Sequence, residues 1–106
     1  MKRTISHHRR AIEAVDREIV WLVSQRIEMV ERAWRAKAEL GLPLVDAPQE
    51  ERVYARARRW ARQYQLSPAA VEQLFRAIVG EGKLRALRDA RPPTRPRARS
   101  TKLKRR

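Results

Sequence analysis

The chain has 106 residues, with 26 Lys and Arg against 12 Asp and Glu, a formal net charge of +14, and no cysteine. This length allows one small domain. Without cysteine there is no disulfide framework and no thiolate nucleophile or metal ligand, so packing or association must hold the fold together. Three glycines, one phenylalanine and 42% apolar residues are not the composition of a β-sandwich or β-barrel.

Much of the positive charge is concentrated at the end of the chain. Residues 91–106 contain eight basic residues and no acidic one, which leaves 18 basic and 12 acidic residues, a net charge of +6, in residues 1–90. The 91–106 segment is rich in proline and arginine, and Leu103 is its one aliphatic residue larger than alanine. Such a segment cannot bury enough apolar surface to offset its ordering entropy. We therefore expect a folded domain in residues 1–90 and a disordered basic tail.

The first predicted element is one very long helix. No glycine or proline occurs between Met1 and Leu40, and apolar residues recur there at the three- and four-residue spacing of a helical face. The main stripe contains Ile5, Ile12, Val15, Ile19, Leu22 and Met29. Gly41 and Pro43 are expected to end the helix, with Gly41 placed just after the C-cap.

Two shorter helices are predicted to follow. The second starts near Asp46, whose carboxylate can cap the helix while Gln49 reaches back in a capping box. Its inward positions are Val53, Tyr54, Ala57, Trp60, Ala61 and Tyr64. Ser67 and Pro68 read as N-cap and first-turn proline of a third helix. The inward positions of that helix are Val71, Leu74, Phe75, Ile78 and Val79. The expected fold is all-α with three helices and no strand.

The length of the first helix favours a homodimer. About 35 residues at about 1.5 Å per residue give a helix roughly 52 Å long, whereas a compact domain of this size has a radius of gyration of only about 13 Å. Much of the apolar face would lack cover within one chain. A second copy of the chain, packed against the long helix in a symmetric dimer, is the simplest way to bury it.

Two cations interrupt the apolar face. Arg26 lies between Leu22 and Met29 in the main stripe, and Lys37 lies eleven residues later on nearly the same face. Burying an unpaired charge costs several kcal/mol, so an anion should compensate each one. They could pair with internal carboxylates such as Asp16, Glu50 or Glu81, or extend to solvent. Alternatively, they bind an anionic small molecule between the helices, where bundles usually form their sites.

The sequence resembles the all-helical, type II chorismate mutase family over roughly residues 5–88. The similar stretches, in order and at the spacing of the family, are 8–20, 22–29, 36–39, 41–46, 50–53 and 71–79. The resemblance implies an intertwined homodimer with two active sites that rearrange chorismate to prephenate without a cofactor. It also implies that each site takes one basic residue from the first helix of the partner. Arg9 matches that residue.

The resemblance assigns roles to several residues. Arg9 and Arg26 would hold the two substrate carboxylates, and Lys37 would stabilise the negative charge that develops on the ether oxygen. Glu50 corresponds to a glutamate that contacts the substrate hydroxyl, and Asp46 to a nearby loop aspartate, although Asp46 could serve as a helix cap alone. Arg9 is 17 residues from Arg26, about 25 Å along the helix, so the two cannot share a pocket in one chain.

Three positions depart from the family pattern. Gln49 stands where many relatives have an arginine, and Gly82 where some have a serine that contacts a carboxylate. Ala86 stands where well-studied members have a glutamine that donates to the ether oxygen. Losing one such donor typically costs about 3–4 kcal/mol. Three explanations stay open. Lys83 or Arg85 could replace the glutamine, a shikimate-pathway enzyme could activate a slow mutase, or the substrate could be aminodeoxychorismate or isochorismate.

Other functional classes have weaker support. A nucleic-acid-binding protein would suit the net charge, and a basic face on the second helix (Arg52, Arg56, Arg59 and Arg62) fits it, but the basic tail lacks aromatic residues for base stacking. A catalytically silent homologue would suit Ala86. The two histidines, His7 and His8, are adjacent, and no metal-ligand spacing or Ser-His-Asp arrangement is evident. We expect no metal, no membrane-spanning segment and a cytoplasmic location.

Overall fold

The computed structural model describes residues 4–90, which form three α-helices and, within that range, no strand. The helices are α1 (Ile5–Glu39), α2 (Ala47–Gln63) and α3 (Pro68–Ala90). The predicted all-α class with one very long first helix is confirmed. The predicted disordered tail at residues 91–106 lies outside the described residues.

Local hydrogen bonds explain where α1 begins and ends. The Thr4 hydroxyl accepts a hydrogen bond from the backbone N–H of His7 at 3.1 Å and so caps the first turn. At the other end, Gly41 has a φ of 70° and donates to the Ala38 carbonyl, while Leu42 donates to the Lys37 carbonyl at 2.9 Å. These two bonds form a Schellman motif. Gly41 therefore ends α1 as predicted.

The N-terminus of α2 confirms one half of the predicted capping box. The Asp46 carboxylate accepts from the backbone N–H of Gln49 at 3.1 Å. The Gln49 side chain does not reach back to Asp46. Its oxygen accepts from Nε of Arg52, one turn further along α2, at 3.0 Å. Asp46 therefore caps α2 alone, because the exposed Arg52 guanidinium offers Gln49 a nearer donor.

The connection between α2 and α3 is another tight reversal. Gln65 has a φ of 60° and donates to the Arg62 carbonyl, and Leu66 donates to the Ala61 carbonyl at 2.8 Å. This is a second Schellman motif, with glutamine at the position that usually holds glycine. The Ser67 hydroxyl then accepts from the backbone N–H of Ala70 at 3.2 Å and caps α3 as predicted.

α3 is the central element, because it packs against both α1 and α2. The buried apolar residues are Ile27, Trp34, Val53, Tyr54, Ala57, Ala61, Val79 and Ala86. Three residues predicted to point inward, Trp60, Tyr64 and Leu74, are exposed in the single chain. Trp60 and Tyr64 lie in the last turns of α2, and Leu74 lies away from the α2–α3 contact, so one chain offers nothing to cover them.

The molecule is elongated, with extents of 66 × 33 × 19 Å and a radius of gyration of 19.1 Å. In the first half of α1 the predicted stripe is uncovered: Ile12, Val15, Ile19 and Leu22 are between 47% and 59% exposed. The expectation that α1 extends beyond its own globule is confirmed. No helix within residues 4–90 is long and apolar enough to cross a membrane. The cytoplasmic location stays a prediction.

Candidate active site

All three helices contribute to a cavity of about 210 Å³ beside the second half of α1. From α1 come Arg26, Val30, Ala33, Trp34 and Lys37, which share one face because they are spaced three, four or eleven residues apart. The remaining lining residues are Leu44, Asp46, Gln49, Glu50, Val53, Val79 and Lys83. Five predicted site residues, Arg26, Lys37, Asp46, Gln49 and Glu50, therefore lie around one cavity.

Arg26 is half-buried at one end of this cavity. Its guanidinium lies over the Phe75 ring of α3, with Cζ 5.9 Å from the ring centroid. Burial lowers the pKa of Arg26, the like charge of Arg56 lowers it further, and Tyr54 partly offsets the two. Arg26 thus carries a charge that has lost part of its hydration and faces a second cation. A bound anion would relieve both costs.

Neither Arg26 nor Lys37 has a carboxylate partner in the part of the chain that the structure describes. Within residues 4–90, no salt bridge joins Arg26 or Lys37 to any acidic side chain. Asp16 and Glu81 do not line the cavity, and Glu50 pairs with Lys83. The hypothesis of internal ion pairs for Arg26 and Lys37 is therefore wrong. Both cations remain available to a ligand.

The carboxylates of the cavity are held at its α2 side. Glu50 lies in the first turn of α2, and its two oxygens lie 3.0 and 3.3 Å from Nζ of Lys83 on α3. The Asp46 carboxylate is engaged by the Gln49 N–H at the helix cap. The cavity lining thus contains three cations and two carboxylates, an excess of one positive charge.

A larger adjoining cavity, of about 410 Å³, has the opposite charge. Its lining includes Glu31, Glu39 and Asp89 against a single cation, Arg35. Trp34 and Leu44 line both cavities and so separate them. Because its carboxylates would repel a dianion, the larger cavity is the poorer candidate for an anionic ligand.

The other three predicted site residues do not line the cationic cavity. Ala86 is buried and faces the larger, acidic cavity. Gly82 is packed against α1, where an added Cβ would lie 3.7 Å from Val30, and its amide belongs to the interior of α3. Arg9 is exposed near the start of α1. A substrate contact from Gly82 or Ala86 therefore has no support in the geometry, whereas Arg9 could reach such a cavity only in another chain.

Two alternatives from the sequence can be placed in the structure. On the basic face of α2, Arg52 bonds to Gln49 and Arg56 stacks over Trp60, with Cζ 5.3 Å from the ring centroid. Half of that face is therefore engaged within α2. No group of three potential metal ligands occurs among residues 4–90.

Comparison with protein families finds a match. The family described as chorismate mutase type II matches residues 8–86, which include α2, most of α1 and α3, and every residue that lines the cationic cavity. The chain belongs to the type II chorismate mutase family. It is therefore an enzyme of the isomerase class. Comparisons with curated proteins and with solved structures find no match.

Within this chorismate mutase fold, the structure separates the two residues considered as replacements for the missing glutamine. Lys83 lines the cationic cavity, whereas Arg85 turns to Glu31 on α1, with its Nε 3.5 Å from the carboxylate. Trp34, which separates the two cavities, is not among the site residues predicted from the sequence. Its position eight residues after Arg26 and three before Lys37 is the signal that places it on the same face.

Proposed function

We propose that the chain catalyses the rearrangement of chorismate to prephenate in a pocket shared between two copies of the chain. The observation that carries this proposal is the cavity lined by Arg26 and Lys37, for which residues 4–90 provide no carboxylate partner. A small dianion would supply a negatively charged partner for these two cations. Membership of the type II chorismate mutase family supports the choice of substrate.

The reaction is intramolecular, so the enzyme adds no atoms. In chorismate the ether C–O bond breaks while a C–C bond forms between the ring and the methylene carbon of the enolpyruvyl group. No proton or electron enters or leaves. The enzyme must hold the flexible side chain over the ring and stabilise the negative charge that builds up on the ether oxygen.

Different residues of the cavity bind the substrate and stabilise the charge on its ether oxygen. Arg26 holds one substrate carboxylate, with a planar guanidinium suited to bidentate contact. Lys37 donates to the ether oxygen, where the charge develops in the transition state. Glu50 accepts from the substrate hydroxyl. Asp46 and Gln49 sit at the rim through their shared helix cap, and their role is to shape the pocket.

We assign the second carboxylate to a cation from another copy of the chain, because Lys83, the third cation of the cavity lining, is already paired with Glu50. Arg9 lies 17 residues before Arg26 on the same helix, roughly 25 Å away. The uncovered stripe on the first half of α1 offers the surface on which a second copy would pack. In such a dimer, Arg9 of each copy completes the site of the other.

The decisive experiment is to follow the loss of chorismate absorbance with purified protein. Aminodeoxychorismate and isochorismate are assayed beside it, each alone and with shikimate-pathway enzymes added as potential activators. Prephenate formation from chorismate is the expected result. Absence of turnover in every chorismate sample would refute the proposal, and exclusive turnover of one analogue would reassign the substrate.

A further inference from the structure

We propose that Lys83 is a catalytic residue of this site and donates, together with Lys37, to the ether oxygen of the substrate as its C–O bond breaks. This inference rests on the proposed mutase function. It assigns a second transition-state donor to α3, at a residue one helical turn before Ala86.

Lys83 lies on the face of α3 that borders the candidate site. Lys83 follows Val79 by four residues, so both lie on the α3 face that lines the cationic cavity. Ala86, three residues further, faces the acidic cavity behind Trp34 and carries no polar atom on its side chain. Arg85 is turned to Glu31. Within the described part of α3, Lys83 is the cation that lines the candidate site.

Lys83 pairs with Glu50 and keeps a donor hydrogen for a ligand. Its Nζ lies 3.0 Å from one oxygen of Glu50 and 3.3 Å from the other, and among the described residues no other carboxylate is within salt-bridge distance of it. An ammonium group carries three donor hydrogens, so at least one remains for a ligand. Both side chains are partly buried, about one-third and one-quarter exposed, which strengthens a charge–ligand contact relative to water.

The two oxygens of chorismate that matter here are its hydroxyl and its ether oxygen. In chorismate the hydroxyl and the ether oxygen are on adjacent ring carbons. If Glu50 accepts from the hydroxyl, a cation within hydrogen-bond distance of Glu50 lies beside the ether oxygen. Lys83 fits this description, because Glu50 and Lys83 are in direct contact across the α2–α3 boundary. Glu50 thus orients both the hydroxyl and the ammonium that acts next to it.

The test compares Lys83→Met with Arg85→Met, a control that removes a cation from the same helix two residues away. For Lys83→Met we expect kcat to fall about 100-fold with little change in KM, since the contact strengthens only in the transition state. Lys83→Arg should recover part of the loss. Arg85→Met should keep kcat within about twofold. Circular dichroism and Tm of each variant establish that it is folded.

Two results would overturn the inference while leaving the mutase function intact. The first is an active wild-type enzyme whose kcat is equally affected in Lys83→Met and Arg85→Met. The second is a loss in Lys83→Met that appears in KM while kcat is unchanged, because Lys83 would then contribute equally to the binding of the substrate and of the transition state.

A binding measurement separates the inference from the proposed function. The probe is a bicyclic ether dicarboxylate that mimics the transition state, followed by calorimetry. If the wild type does not convert chorismate, tenfold weaker probe binding by Lys83→Met, and not by Arg85→Met, would still support Lys83 as a ligand contact. Equal affinities, or no binding by the wild type, would overturn it.

Discussion

Arg26 and Lys37 differ in what their surroundings do to them. Arg26 lies over Phe75 and faces Arg56, so its charge is already partly desolvated before any ligand binds. Lys37 lies in the last turn of α1, where the carbonyl ends of the helix favour a cation. Neither side chain is needed as a salt-bridge partner within the described chain. Their substitution should therefore affect ligand chemistry more than folding.

Lys37→Ala should lower kcat for chorismate by about 100- to 1000-fold, the usual cost of removing one transition-state donor. The free energy of unfolding should change by no more than about 0.5 kcal/mol, because Lys37 forms no ion pair with any of the described residues. Steady-state kinetics and chemical denaturation provide the two measurements. Arg32→Ala is the control, since Arg32 is exposed on α1 and pairs only with Glu28 at 3.9 Å. A change confined to stability would contradict the assignment of Lys37.

The cavity depends on how α2 and α3 are held together. Glu72 of α3 accepts hydrogen bonds from Arg58 of α2 at 2.7 Å and from Arg76 of α3 at 2.9 Å. Arg76 also stacks on Tyr54 of α2, with Cζ 4.1 Å from the ring centroid. Glu72 precedes Lys83 by about three turns of α3, so this cluster fixes the α2–α3 contact at a distance along the helix from the Lys83–Glu50 pair. It lies outside the cavity lining, so it is a structural feature and can be tested as one.

The charge of Glu72 should make stability depend on pH in the acid range. The Arg58 hydrogen bond is the main reason that the pKa of Glu72 lies below its ordinary value of 4.5. A carboxyl group whose pKa is lower in the folded state stabilises the fold fully above its unfolded pKa. It loses that contribution as the pH falls through the folded pKa. We therefore expect Glu72→Gln to lower Tm at pH 7 and the difference from wild type to shrink below about pH 4.

Thermal melts of wild type and Glu72→Gln across this pH range provide the measurement. Glu28→Gln is the matched control, because Glu28 belongs to an exposed pair on α1 and such pairs contribute little. A Tm difference for Glu72→Gln that stays constant from pH 7 to pH 3 would show that its effect is not electrostatic.

At the scale of the whole molecule, we propose that a second copy of the chain completes the site. One chain spans 66 Å and leaves most of the apolar stripe on the first half of α1 exposed. The cationic cavity lies beside the second half of the same helix. An antiparallel arrangement of two α1 helices would bring the N-terminal half of one copy beside the cavity of the other.

Mixed dimers provide the test of this arrangement. Arg9→Ala and Lys37→Ala should each be nearly inactive as homodimers. If each site uses Arg9 of one copy and Lys37 of the other, then half of the dimers in an equal, reassorted mixture are mixed. Each mixed dimer has one intact site, so about one quarter of wild-type activity should return. Mixing Arg26→Ala with Lys37→Ala is the control and should recover nothing, because those residues serve the same site from one chain. Failure of the first mixture, after light scattering has shown that dimers reassort, would contradict a shared site.

The sequence by itself determined the helices and the face that carries the charges. Helix ends follow from local chemistry, so Thr4, Ser67 and Gly41 act within one turn of chain, and Gly41 could be recognised because φ > 0 favours glycine. The reversal at Gln65 could not be predicted, because a positive φ is uncommon for glutamine and its residue type gives no sign of it. Periodicity likewise placed Arg26 and Lys37 on one face, because eleven residues are almost three turns.

Only the tertiary structure decided which residues from different helices meet. Two contacts join positions far apart in the chain: Lys83 with Glu50, and Arg85 with Glu31. In the same way, Trp34 of α1 separates Ala86 of α3 from the cationic cavity. These pairings depend on how α3 lies between α1 and α2, which no local pattern encodes. The periodicity of each helix specifies a face, whereas packing determines which faces meet.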